Sequence, residues 1–395
     1  MADRRPVQVL VIERPEVARL VDEEEPPPGN GQFRVDTLYT GLSAGTELTY
    51  FKGTNPYLHA IWDRQFGVFR HDRPATGFPV RAPGYMEVGR VCESASDTVA
   101  VGDLVAMAYG HKSGHNVDPL RDRFLRLPSG LDPVLGIYIA HMGPICANGL
   151  LHAAVDVAGP GALQLGDGVR GRNVLVTGAG VIGLLVGLFA RHHGAAEVLV
   201  SDATPERLRA AEGLGLEAVD DADGTAWRAV KERWRRGPTD CGADVVFQCR
   251  GRTAALAGAL RSLRPQGTVI DLAFYQGGAS DLALGEEFHH NGLTIRCAQI
   301  TRVPRELAHL WDRRRLAVET VELLGAHGRE IREHLVTDVV PLAQAPALLA
   351  ELAARRRHVI QAVFACPAAG HDGDEAGNGR SGHDRLGDGP WGGGR

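Results

Sequence analysis

The chain has 395 residues, 44% hydrophobic and 23% charged, the balance of an ordinary globular protein of two or three domains, which excludes a disordered or fibrous chain over most of its length. Acidic side chains outnumber basic ones 48 to 43, a formal charge of -5, so the charge makes no case for nucleic acid as a partner. Lys52, Lys112 and Lys231 are the only lysines, and this arginine bias reads as GC-rich coding, not as a binding signature. The six cysteines are scattered with no C-x-x-C pair, against both a disulfide framework and a cysteine-rich zinc lobe. No signal-like apolar region follows the first residues, and the longest apolar run, 174–190, is broken by glycines. The expectation is a cytoplasmic protein with no membrane partner.

In chain order, 7–12 and 33–39 read as strands on either side of a Pro-Gly turn cluster, followed by short strands at 89–91 and 103–106, so the first part is mostly β. From about residue 149 the pattern alternates: strand 173–177, helix 181–193, strand 197–201, helix 205–214, strand 244–248, helix 253–263, strand 267–272. Strict alternation predicts a parallel sheet covered on both faces, hence an α/β fold. Two amphipathic helices follow at 305–324 and 342–354, then a strand at 359–364. The segment 367–395 is glycine-rich and nearly free of aliphatic side chains, and is expected to be disordered.

The strongest motif is V-L-V-T-G-A-G-V-I-G-L-L over 174–185, where Gly178, Gly180 and Gly183 supply G-x-G-x-x-G between a predicted strand and a predicted helix. The first glycine makes a tight turn, the second lets backbone approach a pyrophosphate, and the third lets the helix close on the strand. Val181 and Ile182 lie in the first turn of that helix, and Asp202 ends the next strand, with Arg207 just beyond; all four belong to the candidate cofactor site. A carboxylate at Asp202 would accept bonds from the adenosine ribose hydroxyls and repel a 2′-phosphate, favouring NAD(H), with NADP(H) the alternative. The plainer reading of Asp202 is an N-cap for the 205–214 helix.

With these features the chain resembles the medium-chain dehydrogenase/reductase superfamily, that of the zinc alcohol dehydrogenases and quinone oxidoreductases, over residues 7–365, including G-D-L-V-A at 102–106 and G-A-D-V-V-F at 242–247. The resemblance implies a GroES-like β-barrel catalytic domain at 1–148, a doubly wound Rossmann parallel-sheet domain at 149–301, and a C-terminal return to the catalytic domain at 302–366. G-L-S-A-G-T-E (41–47) and L-G-E-E-F-H-H-N (284–291) are most similar to the branch around bacteriochlorophyllide a dehydrogenase and related dehydrogenases of specialised metabolism.

In zinc members of that family the ligands lie in G-x-C-G-T-D, in G-H-E and just before the dinucleotide domain. The matching residues here are Ser43, Tyr85 in G-Y-M-E-V-G, and Gly143, none a usual zinc ligand, and no cysteine lies between Asp103 and Pro128. Both zinc sites are expected to be absent. His111 with His115, and His289 with His290, leave a residual metal reading beside the plainer one of solvated or core histidines.

Without a Lewis acid, side chains must handle the reacting oxygen. Tyr85 and Ser43 stand where ligands would, Thr46 matches the family threonine that passes a proton between substrate and nicotinamide ribose, and Glu47 takes the acidic position of that motif. His141 is expected to exchange protons near neutrality. The structural alternatives are a packing ring for Tyr85, a turn hydroxyl for Ser43 and a satisfied histidine for His141. The stretch from Glu47 to Gly84 is nearly twice the family length and rich in aromatic and basic residues; it is expected to cap a cleft for a ring-bearing substrate, or else to cover a subunit surface. By resemblance, 286–299 is the last strand of the dinucleotide domain and pairs across a homodimer axis, with Glu286 to His290 a helix-turn element.

The leading expectation is a zinc-independent enzyme moving a hydride between nicotinamide and a secondary alcohol or ketone of a bulky small-molecule substrate, such as a tetrapyrrole side chain or a cyclitol or aminosugar of antibiotic biosynthesis. An enone or quinone reductase and a non-catalytic dinucleotide-binding protein are the alternatives.

Overall fold

The computed structural model describes residues 4–73, 75, 77–275, 278–279, 282–300 and 302–366; the tail expected to be disordered lies outside them. Strand β1 (Arg5–Arg14) buries Val7, Val9 and Val11 on one face and Leu10 and Ile12 on the other. Its antiparallel partner β2 (Val17–Glu25) escapes hydropathy because D-E-E-E fills its second half. Those acids are matched from neighbouring strands: Glu25 meets Arg5 and Arg34, and Glu23 meets Arg81. Next come β3 (Phe33–Gly41), α1 (Ala44–Phe51), the hairpin β4 (Ile61–Asp63) and β5 (Val68–Arg70), and β6 (Val80–Arg81). Strands β7 (Glu87–Ser94), β8 (Leu104–Met107), β9 (Gly114–Val117) and β10 (Phe124–Arg126) complete this part. One sheet runs β2-β1-β6 and another β10-β8-β7-β3, with β9 also on β3. Phe33, Val35, Val91, Val105, Met107 and Val117 form a core of this β-rich domain.

Helix α2 (Met142–Ala158) opens the second part. It continues with β11 (Asn173–Thr177), α3 (Val181–His192), β12 (Glu197–Asp202), α4 (Pro205–Gly213), β13 (Glu217–Asp220), α5 (Ala226–Arg233), β14 (Ala243–Gln248), α6 (Thr253–Ser262) and β15 (Leu263–Asp271). Then come α7 (Glu287–His290), β16 (Thr294–Cys297) and α8 (Arg313–His334). The sheet is parallel, in the order β13-β12-β11-β14-β15-β16, the doubly wound arrangement. Leu175, Leu199, Val230, Trp234, Val246, Leu260 and Val269 pack one of its faces. The chain then adds β17 (Val336–Pro341), α9 (Ala345–Ala353) and β18 (Gln361–Ala365), which pairs antiparallel with β3.

Among the described residues two compact units result: 4–140 with 338–358 and 362–366, and 141–337 with 359–361. A boundary at 148 would cut α2, and α8 belongs to the second unit, so the return to the first begins at Asp338 rather than near 302. The helix expected at 305–324 is instead α8. Only a single turn forms at Arg305–Leu307, and the helix proper starts where the Asp312 side chain accepts from Arg315 N–H and the Arg315 cation lies 3.6 Å from the centre of the Trp311 ring. The segment 286–299 contains a short helix, α7, before its strand. No helix among the described residues is long and apolar enough to cross a membrane.

Candidate active site

Strand β11 ends in the glycine turn. Gly178 has φ +98°, a backbone conformation that side chains disfavour, and a Cβ on Gly183 would stand 1.8 Å from the Gly178 carbonyl oxygen, so α3 approaches the turn only because no side chain intervenes. Gly180 caps α3 with no side-chain bond. The leading N–H groups of a helix have no acceptor within it, so those of Val181 and Ile182 are available to an anion at the positive end of α3. The turn also sits at the carboxyl end of the strand where the sheet order reverses, between β12 and β14, where doubly wound sheets bind dinucleotides. These residues fit a dinucleotide.

Asp202, at the end of β12, is buried: Oδ2 accepts from Ala179 N–H and Oδ1 from Thr204 N–H, each at 2.9 Å. Burial works to raise this carboxyl, yet Arg207, 3.6 Å away, and those hydrogen bonds outweigh it and hold it below the usual carboxylate range. The N-cap of α4 is Thr204, which corrects the N-cap alternative for Asp202. Asp202 ties the glycine turn to β12, with Arg207 at its side.

In the first unit, three of the expected catalytic residues converge. Ser43 precedes α1 without capping it through its side chain, and its hydroxyl instead hydrogen-bonds the Tyr85 hydroxyl. Thr46 Oγ1 lies 3.4 Å from the same Tyr85 oxygen. Glu47 is 1% exposed: Oε1 accepts from Ser43 N–H at 2.7 Å, and Oε2 lies 2.6 Å from His111 Nε2. A carboxylate can only accept, so Nε2 carries the hydrogen, and in the neutral ring Nδ1 accepts from the Thr40 hydroxyl at 2.7 Å. The imidazole packs edge-on to Phe364, with centroids 4.8 Å apart, and a Cβ on Gly84, where φ is +107°, would come within 3.0 Å of it. Glycine at 84 thus lets the backbone just before Tyr85 pass close to the His111 ring.

His111, which spacing paired with His115, is therefore the buried partner of Glu47, a role the sequence did not show. Glu47 needs a buried partner, but nothing local says which of the sixteen histidines supplies it. His111 and His115 do not share a ligand site. His115 stacks on Tyr109 with centroids 3.9 Å apart and lies 3.4 Å from Glu87, and burial pushes His115 down and Glu87 up to about 8. His289 and His290 are exposed on α7.

His141 belongs to the second unit, at the start of α2. Arg313 Nη2 donates to its Nδ1 at 2.7 Å; burial, and then the charge of Arg313, push the imidazole down to about 4. The expectation of proton exchange near neutrality is corrected: the ring is neutral there, tied to a permanent cation.

The residues at the family's metal positions do not fit zinc. Ser43 and Tyr85 offer hydroxyls bonded to each other, the nearby Glu47 and His111 bind each other, and at Gly143 a Cβ would stand 2.1 Å from Thr320 Cγ2, leaving no room for a ligand side chain. Among the described residues, no three His, Cys, Asp or Glu side chains are grouped to hold a metal ion.

Comparison with known proteins bears on the same features. Residues 181–313 match the family described as zinc-binding dehydrogenase. The chain is 28% identical over 346 residues to the D-guloside 3-dehydrogenases of Shigella flexneri and Escherichia coli, covering 85% of this chain and 93% of each relative. It is 28% identical to an L-threonine 3-dehydrogenase of Streptomyces avermitilis over 67% of this chain and 77% of the relative. Among solved structures, an alcohol dehydrogenase from Thermotoga maritima superposes with a TM-score of 0.69 at 18% identity, over 92% of this chain and all of the other. A zinc-binding dehydrogenase from Sinorhizobium meliloti, bound to NADP, superposes at 0.66 with 20% identity, over 91% and 99%. Over most of its length the chain is thus similar to zinc-binding dehydrogenases, whose family it matches over 181–313, and it is an enzyme of the dehydrogenase class.

Proposed function

We propose that this enzyme oxidises a secondary alcohol of a bulky, sugar-like metabolite, or reduces the corresponding ketone, and that hydroxyl side chains take over the role of zinc. The observation that carries the reading is the convergence of Ser43, Thr46 and Tyr85 on one another at the position where the family's ligands would stand. Zinc independence, and placement in the branch of specialised metabolism suggested by 41–47 and 284–291, rest on these substitutions. The substrate class draws on the full-length relatives, whose names are those of a guloside and a threonine dehydrogenase.

Gly178, Gly180, Val181, Ile182, Gly183 and Asp202 would hold a nicotinamide dinucleotide, which supplies or accepts the hydride when bound. The buried carboxylate of Asp202 favours NAD(H); Arg207 beside it keeps NADP(H) as the alternative, the cofactor present in the Sinorhizobium structure. Tyr85 holds the substrate oxygen and its proton, with Ser43 and Thr46 as hydrogen-bond partners, because a positioned donor stabilises the oxygen as it gains negative charge. Glu47, fixed by His111, anchors the Ser43 backbone. The assembly proposed is a homodimer joined along β16, whose second edge carries no strand among the described residues, and the compartment proposed is the cytoplasm.

The test is a panel of secondary-alcohol sugars with NAD+ and NADP+, alongside ketones and enones with the reduced cofactors. Turnover of the alcohols and ketones supports the reading. Turnover of enones alone makes the protein a conjugate reductase, and saturable cofactor binding without any turnover makes it an accessory protein.

A further inference from the structure

We infer that Tyr50, Tyr57, Phe69 and Trp62 form a preformed track for a second, planar apolar ring of the substrate, so that the enzyme takes glycosides bearing such an aglycone in preference to free sugars. This rests on the sugar-alcohol reading above and extends it. Thr46 and Tyr50 are four residues apart on α1, one turn above the other, on a half-buried face, whereas Glu47, Thr49 and Phe51 are buried. The track therefore starts one helical turn from the hydroxyl cluster. Burial, and then Tyr57, raise the Tyr50 phenol.

Tyr57 is fixed by its own turn, Asn55 accepting from its N–H at 3.0 Å. Its ring meets Phe69 edge-on at 5.2 Å, and Phe69 meets Trp62 at 5.0 Å. Trp62 and Phe69 are directly paired across β4 and β5, so both stand on one face of the hairpin. Asp63 accepts from Gln65 and Phe66 N–H to pin the turn, and Arg70 binds Asp63 and Asp72, so the cation of β5 is already neutralised. Yet Tyr57 is 48% and Phe69 37% exposed. The ring cluster, held by these contacts and open to water at Tyr57 and Phe69, is suited to a further ring packing in the same edge-to-face manner.

Calorimetric titration of the protein with NADH present, using phenyl and methyl glycosides of the same hexose, needs no turnover. The phenyl glycoside is expected to bind about tenfold more tightly, the sum of two ring contacts, and Tyr57→Ala with Phe69→Ala is expected to bring the ratio close to one. NADH affinity, measured alongside, reports that the variants fold. A phenyl preference that survives both substitutions overturns the track while leaving the sugar reading intact; binding of neither glycoside overturns both. A fall in the mass of the assembly on substitution would mean that a second copy covers these rings, and also overturns it.

Discussion

The glycine turn of the second unit and the hydroxyl cluster of the first are built in opposite ways. The turn is main chain: Gly178 to Gly183 are contiguous, and their function is to keep side chains out of the way. The cluster is side chain, drawn from β3, α1, the Gly84 turn and the segment before β9, with Thr40 and His111 separated by 71 positions. A site made of backbone tolerates little substitution at its own residues and is almost indifferent to distant ones. A site made of side chains depends on partners such as His111 that never touch substrate.

That contrast can be broken experimentally. The largest effect is expected from Tyr85→Phe, which keeps the ring and deletes the hydroxyl bonded to Ser43: turnover falls ~100- to 1,000-fold while NADH affinity and melting temperature hold. Retained activity would assign Tyr85 to packing. His111→Ala strands the buried Glu47 carboxylate and is expected to cost about 3 kcal/mol in denaturant unfolding, with a lower turnover as Ser43 loses its anchor. Stability equal to wild type would show the pair to be incidental.

Glu87 sharpens the side-chain half further. Burial raises it to about 8 in the folded protein from 4.5, so its contribution to stability is full below 4.5 and is lost as the pH rises to 8. His115 is shifted downward, and its effect is complete above 6.5. His141, His152, His193 and His327 are also shifted downward and titrate in the same range when unfolded, so the Glu87 part, a loss of about 2 kcal/mol between pH 6.5 and 8, is read as the difference from a variant lacking the carboxyl. Glu87→Gln should remove that part of the slope in urea titrations at the two pH values; an unchanged slope refutes the assignment. The smallest effect concerns the backbone half. A Cβ on Gly180 meets no protein atom within 4 Å, so Gly180→Ala should leave the melting temperature unchanged while weakening NADH about tenfold by occupying the pyrophosphate's place.

The same contrast explains what was legible in sequence. The β11 to α3 unit could be read because strand, turn and helix are local and each glycine has a steric reason. Strand β2 was hidden because Arg5, Arg34 and Arg81 satisfy its acids from other strands, and the start of α8 because a 3₁₀ turn and Trp311 interrupt the helical pattern. Ser43, Thr46 and Tyr85 were found through family motifs, but the pairing of His111 with Glu47 and of Arg313 with the buried His141 was not, since such partners are set only by the fold.

The central claim is that hydroxyls stand in for a metal. The most direct test dialyses the purified enzyme against a chelator, then measures zinc by elemental analysis and turnover on the same sample. The account predicts undiminished turnover with no stoichiometric zinc. Activity that is lost with the metal and restored by adding zinc back would contradict it.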